Sequence, residues 1–468
     1  MAIKMLPRKG KRERGDICPQ TSQVSEETKN MSEHKFCNRT FEKKLYICRI
    51  NTIKYTNFWG YNPKSWYEIR IYQKHFVPLQ RKNRKNMALI KRKLEQVIRN
   101  HMFHGKAIIL LGARQVGKST LFEQILANLP DDITENQILR IYCDDSEHRK
   151  FLENANLANL PQLLAGKRLV VVDEAQRIQG IGVKLKLITD HFKDVQLLIT
   201  GSSSFMLQGK LNEPLTGRKF EYHLYPFSTQ EMYDDGGLIR TKQTFESRLI
   251  YGSYPDVIMG IDNPRDILLN LSGSYMYQDL LSVEGIRKPV LLEKILVALA
   301  LQVGSEVSYN ELAQTVGTDN KTVEKYVDLL EKCYIIFRLN GLSRNLRNEL
   351  KKSKKIYFYD NGVRNAVIQQ FNPIEMRNDL GALWENFFIS ERIKYNHYNG
   401  RNANIYFWRT KEQQEIDYIE ECNGTMTAFE MKWNPRKGRT VFPKSFLEAY
   451  DIKETVVITP DNYLDWLN

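Results

Sequence analysis

From Met87 onward the hydrophobic positions of this chain change their period in a way that marks out its architecture. Ile90, Leu94, Val97 and Ile98 recur at the spacing of one helical face. Short apolar runs then follow at Ala107–Leu111, Ile138–Cys143, Arg168–Val172 and Val195–Thr200, with helical spacing over Ser119–Leu129 and Val183–Phe192. Buried strands joined by helices predict a parallel sheet covered on its faces. Beyond residue 236 the strand signals stop, and helical spacing dominates as far as Val303. Leu312, Ala313 and Val316 give one helix an apolar face, Gly317 permits a tight turn, and Val323, Tyr326, Val327 and Leu330 line a second helix. Strand-type runs return at Tyr334–Leu339 and Lys355–Tyr359, which are placed to pair as a β-wing, and again from Ile405. The residues ahead of Met87 lack sustained periodicity, although Tyr46 to Tyr72 is rich in aromatic and β-branched residues.

Composition narrows the class. A chain of 468 residues exceeds what one core can serve and suggests about three domains. No apolar run approaches the ~18 residues needed to span a bilayer, so no membrane partner is expected. The N-terminus carries charge but no apolar segment of secretory type. Cys18, Cys37, Cys48, Cys143, Cys333 and Cys422 are scattered without a C-x-x-C pair, which fits reduced thiols in a cytoplasmic protein and indicates no zinc site. The net charge of +14 is unevenly spread: residues 1–86 hold 20 Lys and Arg against 7 Asp and Glu, whereas residues 87–468 hold 49 against 48. Basicity therefore belongs to the N-terminal segment, which reads either as an arm for acidic partners or as an extension the fold does not need.

The strongest chemical signal follows the first apolar run. Gly112-Ala113-Arg114-Gln115-Val116-Gly117-Lys118-Ser119-Thr120 is a G-x-x-x-x-G-K-[ST] loop between a strand and a helix. Such a loop turns successive N–H groups onto phosphate oxygens, and the helix adds its positive end. Lys118 is placed to reach the β- and γ-phosphates of ATP and Ser119 to hold Mg²⁺. Leu169–Val172 ends in Asp173-Glu174, where Asp173 supports the metal and Glu174 orients or deprotonates the attacking water. Thr200, or Ser202 beyond it, closes a further strand as a candidate γ-phosphate sensor, and Arg218 is a candidate to neutralise transition-state charge in cis or from a neighbouring subunit. A small-molecule kinase fits this acidic pair less well than a hydrolase.

With Asp173-Glu174-Ala175-Gln176-Arg177, Thr200-Gly201-Ser202-Ser203, Leu215-Thr216-Gly217-Arg218, Tyr225-Pro226-Phe227-Ser228 and Gly252-Ser253-Tyr254-Pro255-Asp256, the loop resembles a prokaryotic AAA+-type ATPase family. Its members carry a C-terminal domain of unknown function. The resemblance covers most of residues 87–468 and implies ATP binding and hydrolysis, without naming a physiological substrate.

The C-terminal half offers two further modules. In a winged helix-turn-helix, Asn320, Lys321 and Lys325 would face outward, toward DNA or toward a protein partner. Glu415-Ile416-Asp417-Tyr418-Ile419 and Ala428-Phe429-Glu430-Met431-Lys432 alternate as half-buried strands, so Glu415 shares a face with Asp417 and Glu430 with Lys432. Asp417, Glu430 and Lys432 resemble the D…E-x-K core of restriction endonucleases, in which the carboxylates hold Mg²⁺ and the Lys activates water. Glu385, on a helix over Leu383–Tyr395, would add a fourth polar group. The expected fold is α/β: a basic extension (1–86), a P-loop NTPase domain with a parallel sheet (87–236), a helical connector (237–290), a winged helix-turn-helix (291–372) and a restriction-endonuclease-like α/β domain (373–468). The expected function is an ATP-driven switch, in some form of homo-oligomer; the alternatives are an ATP-gated DNA endonuclease and an ATPase with a protein-binding scaffold.

Overall fold

A computed structural model of the chain describes residues 89–201, 215–275, 288–343, 354–434 and 442–468. The basic extension, Ser202 and Ser203 lie outside the described residues. Strands β1 (Ala107–Leu111), β2 (Ile138–Tyr142), β3 (Leu169–Asp173), β4 (Gln196–Gly201) and β5 (Lys219–His223) form a five-stranded parallel sheet in the order β2-β3-β4-β1-β5. Every residue of β1 and β4 is buried, as strands covered on both faces require. Because the strands are parallel, their C-terminal ends open on one edge, where open α/β sheets bind ligands. Strand β4 stands between the strand that feeds the Gly-rich loop and the strand that ends in Asp173. Helices α1 (Lys93–His101), α2 (Lys118–Leu126) and α3 (Ile181–His191) belong to this part.

A helical stretch follows. Helix α4 (Thr229–Gln243) opens with a reciprocal cap: Glu231 N donates to the Ser228 hydroxyl at 3.1 Å, and Ser228 N donates to the Glu231 carboxylate at 2.9 Å. Helices α5 (Phe245–Tyr251), α6 (Pro289–Leu301), α7 (Tyr309–Val316) and α8 (Asn320–Lys332) come next. The turn between α7 and α8 passes through Gly317, and the apolar faces anticipated for both helices are buried.

Strands β6 (Glu306–Val307), β7 (Ile336–Gly341), β8 (Lys354–Phe358), β9 (Asn404–Arg409), β10 (Glu415–Cys422), β11 (Thr425–Met431) and β12 (Ile452–Ile458) form one seven-stranded mixed sheet, in the order β12-β11-β10-β9-β7-β8-β6. Strands β7 and β8 pair antiparallel as a wing would. Strand β7 also pairs in parallel with β9, at Asn340 with Tyr406 and Gly341 with Phe407. The sheet thus runs unbroken across residues 372 and 373, where a domain boundary was expected. An unpaired β7 edge would leave main-chain groups without partners, and β9 satisfies them.

Helix α9 (Asn361–Val367) and the long helix α10 (Leu380–Tyr398) pack beside this sheet. Arg392 of α10 grips Glu420 of β10 through two contacts of 2.8 Å, and the Asn396 amide and the Tyr418 hydroxyl supply further bonds to the same carboxylate. A buried pair so fully partnered fixes α10 on the sheet, and losing one member would cost about 3–5 kcal/mol. Among the described residues no helix is long and apolar enough to cross a membrane.

Gly362 marks a close helix contact, because a Cβ there would fall 2.1 Å from the Tyr251 carbonyl oxygen at the end of α5. Helix propensity alone would make Gly362→Ala stabilising by about 1 kcal/mol. Overpacking against main chain opposes that gain, so we expect a net loss of about 1–3 kcal/mol in urea unfolding. An increase in stability would show that α9 and α5 do not touch here.

Candidate active site

The loop leaves β1 at Gly112, whose φ of 153° and surroundings both exclude a side chain: a Cβ would lie 2.2 Å from the Leu224 carbonyl oxygen. Gly117 precedes α2 at φ 92°, and no side chain caps the first N–H groups of that helix. Helix N–H groups left uncapped in this way are what an anion site needs. Lys118 is buried, and its ammonium donates to the carbonyls of Gly112 at 3.0 Å and Ala113 at 2.8 Å. Arg114 is half-buried, while Gln115, Ser119 and Thr120 are exposed at the mouth of the loop.

Strand β3 brings Asp173 to the same point. The Ser119 hydroxyl lies 3.0 Å from both carboxylate oxygens of Asp173. Thr200, fully buried near the end of β4, donates its hydroxyl to Asp173 and accepts a 2.9 Å bond from the Glu174 N–H. Glu174 adopts the left-handed conformation, with φ 56°, which a non-glycine residue takes at a cost of about 1–3 kcal/mol. Its carboxylate is held by the Gln176 amide at 2.5 Å. Cys143 lies behind these acids, and burial together with their negative charge pushes its thiol up to about 12, so it stays protonated. Arg218 lies just before β5, where its guanidinium is engaged by Asp190 of α3 at 2.5 Å and by the Thr216 carbonyl.

Sequence reasoning missed Arg92, which sits inside the run Lys91-Arg92-Lys93 with nothing to set it apart. Its guanidinium is buried and donates to the Val116 carbonyl of the loop at 2.8 Å, the Tyr225 carbonyl at 2.6 Å and the Tyr398 hydroxyl at 3.3 Å, and it pairs with Glu231 at 2.8 Å. Tyr225 N also donates to the Tyr398 hydroxyl at 3.1 Å.

In the C-terminal half, Asp417 and Glu430 stand on the neighbouring strands β10 and β11. The register of β10 on β9 shifts between Ile416 and Ile419, the stretch that contains Asp417. One Asp417 oxygen accepts from Met431 N at 2.9 Å, and Lys432 pairs with Glu430 at 2.8 Å. Burial, aided by Asp417, raises Glu430 to about 7, and burial likewise raises Glu385 to about 7. An unforeseen residue, Lys355 of β8, is almost fully buried among these acids. Its ammonium lies 3.1 Å from Glu385 and 2.5 Å from Glu415, over the ring of Phe407, and Tyr357 donates to the same Glu385 oxygen at 2.5 Å. Although burial opposes its charge, Glu385, Asp417 and Glu415 raise the Lys355 pKa. Among the described residues no three acidic, His or Cys side chains form a metal cage. Asp417, Glu430, Lys432 and Glu385 are close enough to shift one another's titration, with the Lys355 ammonium between Glu385 and Glu415 at their side.

Residues 104–233 match the profile of an AAA domain. Residues 242–373 and 380–467 match two domains of unknown function, DUF8612 and DUF4143. The chain is 27% identical over 380 residues to an uncharacterized protein of Haemophilus influenzae, covering 76% of this chain and 89% of that one. It is 26% identical over 388 residues to an uncharacterized protein of Mycobacterium tuberculosis, covering 81% of each. Among solved structures, the Walker-type ATPase of Pyrococcus abyssi is similar at 17% identity and a TM-score of 0.41, covering 60% of this chain and 96% of that one. The ORC1 protein of Aeropyrum pernix, solved in complex with DNA, is similar at 12% identity and a TM-score of 0.31, covering 60% and 93%.

Lys355→Met should leave Glu385 without its cation and Glu415 with Arg409 alone, and cost about 3–5 kcal/mol. The deficit should be smallest below pH 7, where Glu385 is protonated in both proteins, and grow as pH rises through and above 7, because Lys355 lowers the Glu385 pKa and its loss leaves that carboxyl protonated to higher pH. Unfolding curves of wild type and variant between pH 5 and 8 test this; a deficit that does not change with pH would contradict it.

Proposed function

We propose that this chain, in which an AAA domain precedes a C-terminal domain of unknown function, binds ATP with Mg²⁺, hydrolyses it and uses the nucleotide state to switch its C-terminal half. The observation that carries this reading is the meeting of the Ser119 hydroxyl with both Asp173 oxygens, at 3.0 Å, beside the buried Lys118 ammonium. That is an oxygen donor set suited to Mg²⁺, which takes few protein ligands and shares the rest with phosphate and water. The chemistry Mg²⁺ supplies when bound is neutralisation of charge on the β- and γ-phosphate oxygens.

The chain's own residues do the remaining work. Lys118 exchanges two loop carbonyls for phosphate oxygens, so its buried charge is partnered with or without nucleotide. Thr200 fixes Asp173 and the Glu174 main chain relative to one another. Glu174 accepts the proton of the attacking water, and Gln176 holds the carboxylate that does so. Arg218, engaged by Asp190, would have to leave that partner to meet a phosphate in cis or in a neighbouring subunit of an oligomer.

DNA, if it is the partner, would be met through Asn320, Lys321 and Lys325, which are exposed along α8. The near balance of 49 basic and 48 acidic residues over 87–468 supplies no broad field to draw it elsewhere. Metal-dependent DNA cleavage by Asp417, Glu430 and Lys432 is the second reading, favoured by the Lys432 ammonium at 2.8 Å from Glu430 and by Asp417 bound to Met431 N on the strand of Glu430.

Lys118→Ala should lower ATP turnover by on the order of 100-fold or more. Glu174→Gln should keep ATP bound while turnover falls by a similar factor, since it removes a base and leaves Ser119 and Asp173 intact. Phosphate release and labelled-ATP binding, each with and without duplex DNA, measure both. Unchanged turnover in purified Lys118→Ala would overturn the assignment.

A further inference from the structure

Arg92 and Tyr398 lie 306 positions apart, in segments that the sequence assigns to different ends of the protein, yet they touch within the core. Three main-chain and side-chain groups converge on them. Val116, whose carbonyl receives Arg92 Nη1 at 2.8 Å, is the loop residue directly before Gly117. Tyr225, whose carbonyl receives Nη2 at 2.6 Å, lies two residues beyond the end of β5, the strand paired with β1. Glu231 takes Arg92 Nε at 2.8 Å and also caps α4. Arg92 stacks on Phe227, with 4.6 Å from the guanidinium carbon to the ring centroid. Tyr398 is the last residue of α10, the helix that carries Glu385 and grips β10 through Arg392.

The guanidinium is planar and its donors point in fixed directions. A shift of the Val116 carbonyl therefore cannot be absorbed by Arg92 alone; it must move Tyr225, Tyr398 or Glu231, or break a buried bond. Unmade buried bonds to a charged group cost more than ordinary ones. We propose that Arg92 is a positioning residue that joins the conformation of the Gly112–Thr120 loop to the C-terminal end of α10, with the Tyr398 hydroxyl as the receiving group. This rests on the nucleotide reading of that loop. Nucleotide that orders the loop should favour one position of α10, and displacement of α10 should weaken nucleotide binding by the same factor, as linkage requires.

The test uses the full chain and two conservative changes. Tyr398→Phe keeps the ring and removes only the hydroxyl; Arg92→Lys keeps the charge beside Glu231 and cannot span the carbonyls. Affinity for labelled ATP, KM and kcat are measured for wild type, both single variants and the double variant, with thermal unfolding in parallel. We expect Tyr398→Phe to weaken ATP binding about 3- to 10-fold, with KM rising more than kcat falls, although no phosphate would touch it. In the Arg92→Lys background the same change should add less than a twofold effect, because the connection is already cut. Multiplicative effects on affinity, or unaltered ATP binding in folded Tyr398→Phe, would overturn the inference. If Tyr398→Phe fails to fold, Arg92→Lys alone decides: unaltered ATP affinity in that variant would overturn the connection. Wild type that binds no ATP would instead refute the nucleotide reading, and the inference would fall with it.

Discussion

The buried guanidinium of Arg92 is the constraint on which the arrangement of this protein turns. Burying such a charge costs several kcal/mol unless every donor finds an oxygen. Here the oxygens come from the Gly-rich loop, from the chain leaving β5, from the cap of α4 and from the end of α10. No single element could satisfy it. The four are therefore held at distances set by one rigid group, and the parallel-sheet part and the C-terminal half share a core that includes residues from Leu94 to Leu467.

The same economy shapes the end of the parallel sheet. Placing β4 between β1 and β3 sets Thr200 between the two motifs, where its hydroxyl can serve Asp173 and the Glu174 main chain at once. The left-handed turn at Glu174 is the strained consequence. Strain of that kind persists only where neighbours over-determine the conformation, and Thr200 and Gln176 are those neighbours.

Much of the fold was legible in the sequence because the signals are local. The strands β1 to β4 are apolar runs of the right length, the loop is a glycine-spaced motif, and Gly317 separates two amphipathic helices. Strand β5 was missed because Lys219-Phe220-Glu221-Tyr222-His223 is half-buried throughout and carries charge, so no apolar run announces it. Arg92 and Lys355 were missed for a deeper reason. Each lies in a stretch of basic residues, where a solvated face is the ordinary outcome, and only tertiary contacts from distant segments make them interior. The register shift around Asp417 is likewise invisible to a period-two pattern. The acidic cluster could be anticipated from Glu415, Asp417 and Glu430, but its cation comes from β8, a strand read as belonging to another module.

The pairing of β7 with β9 also governs how this protein can be taken apart. Cutting the chain near residue 372 would expose the raw edges of both strands, and exposed edges recruit other chains. Separating the two halves would therefore need a cover for the freed edges of β7 and β9.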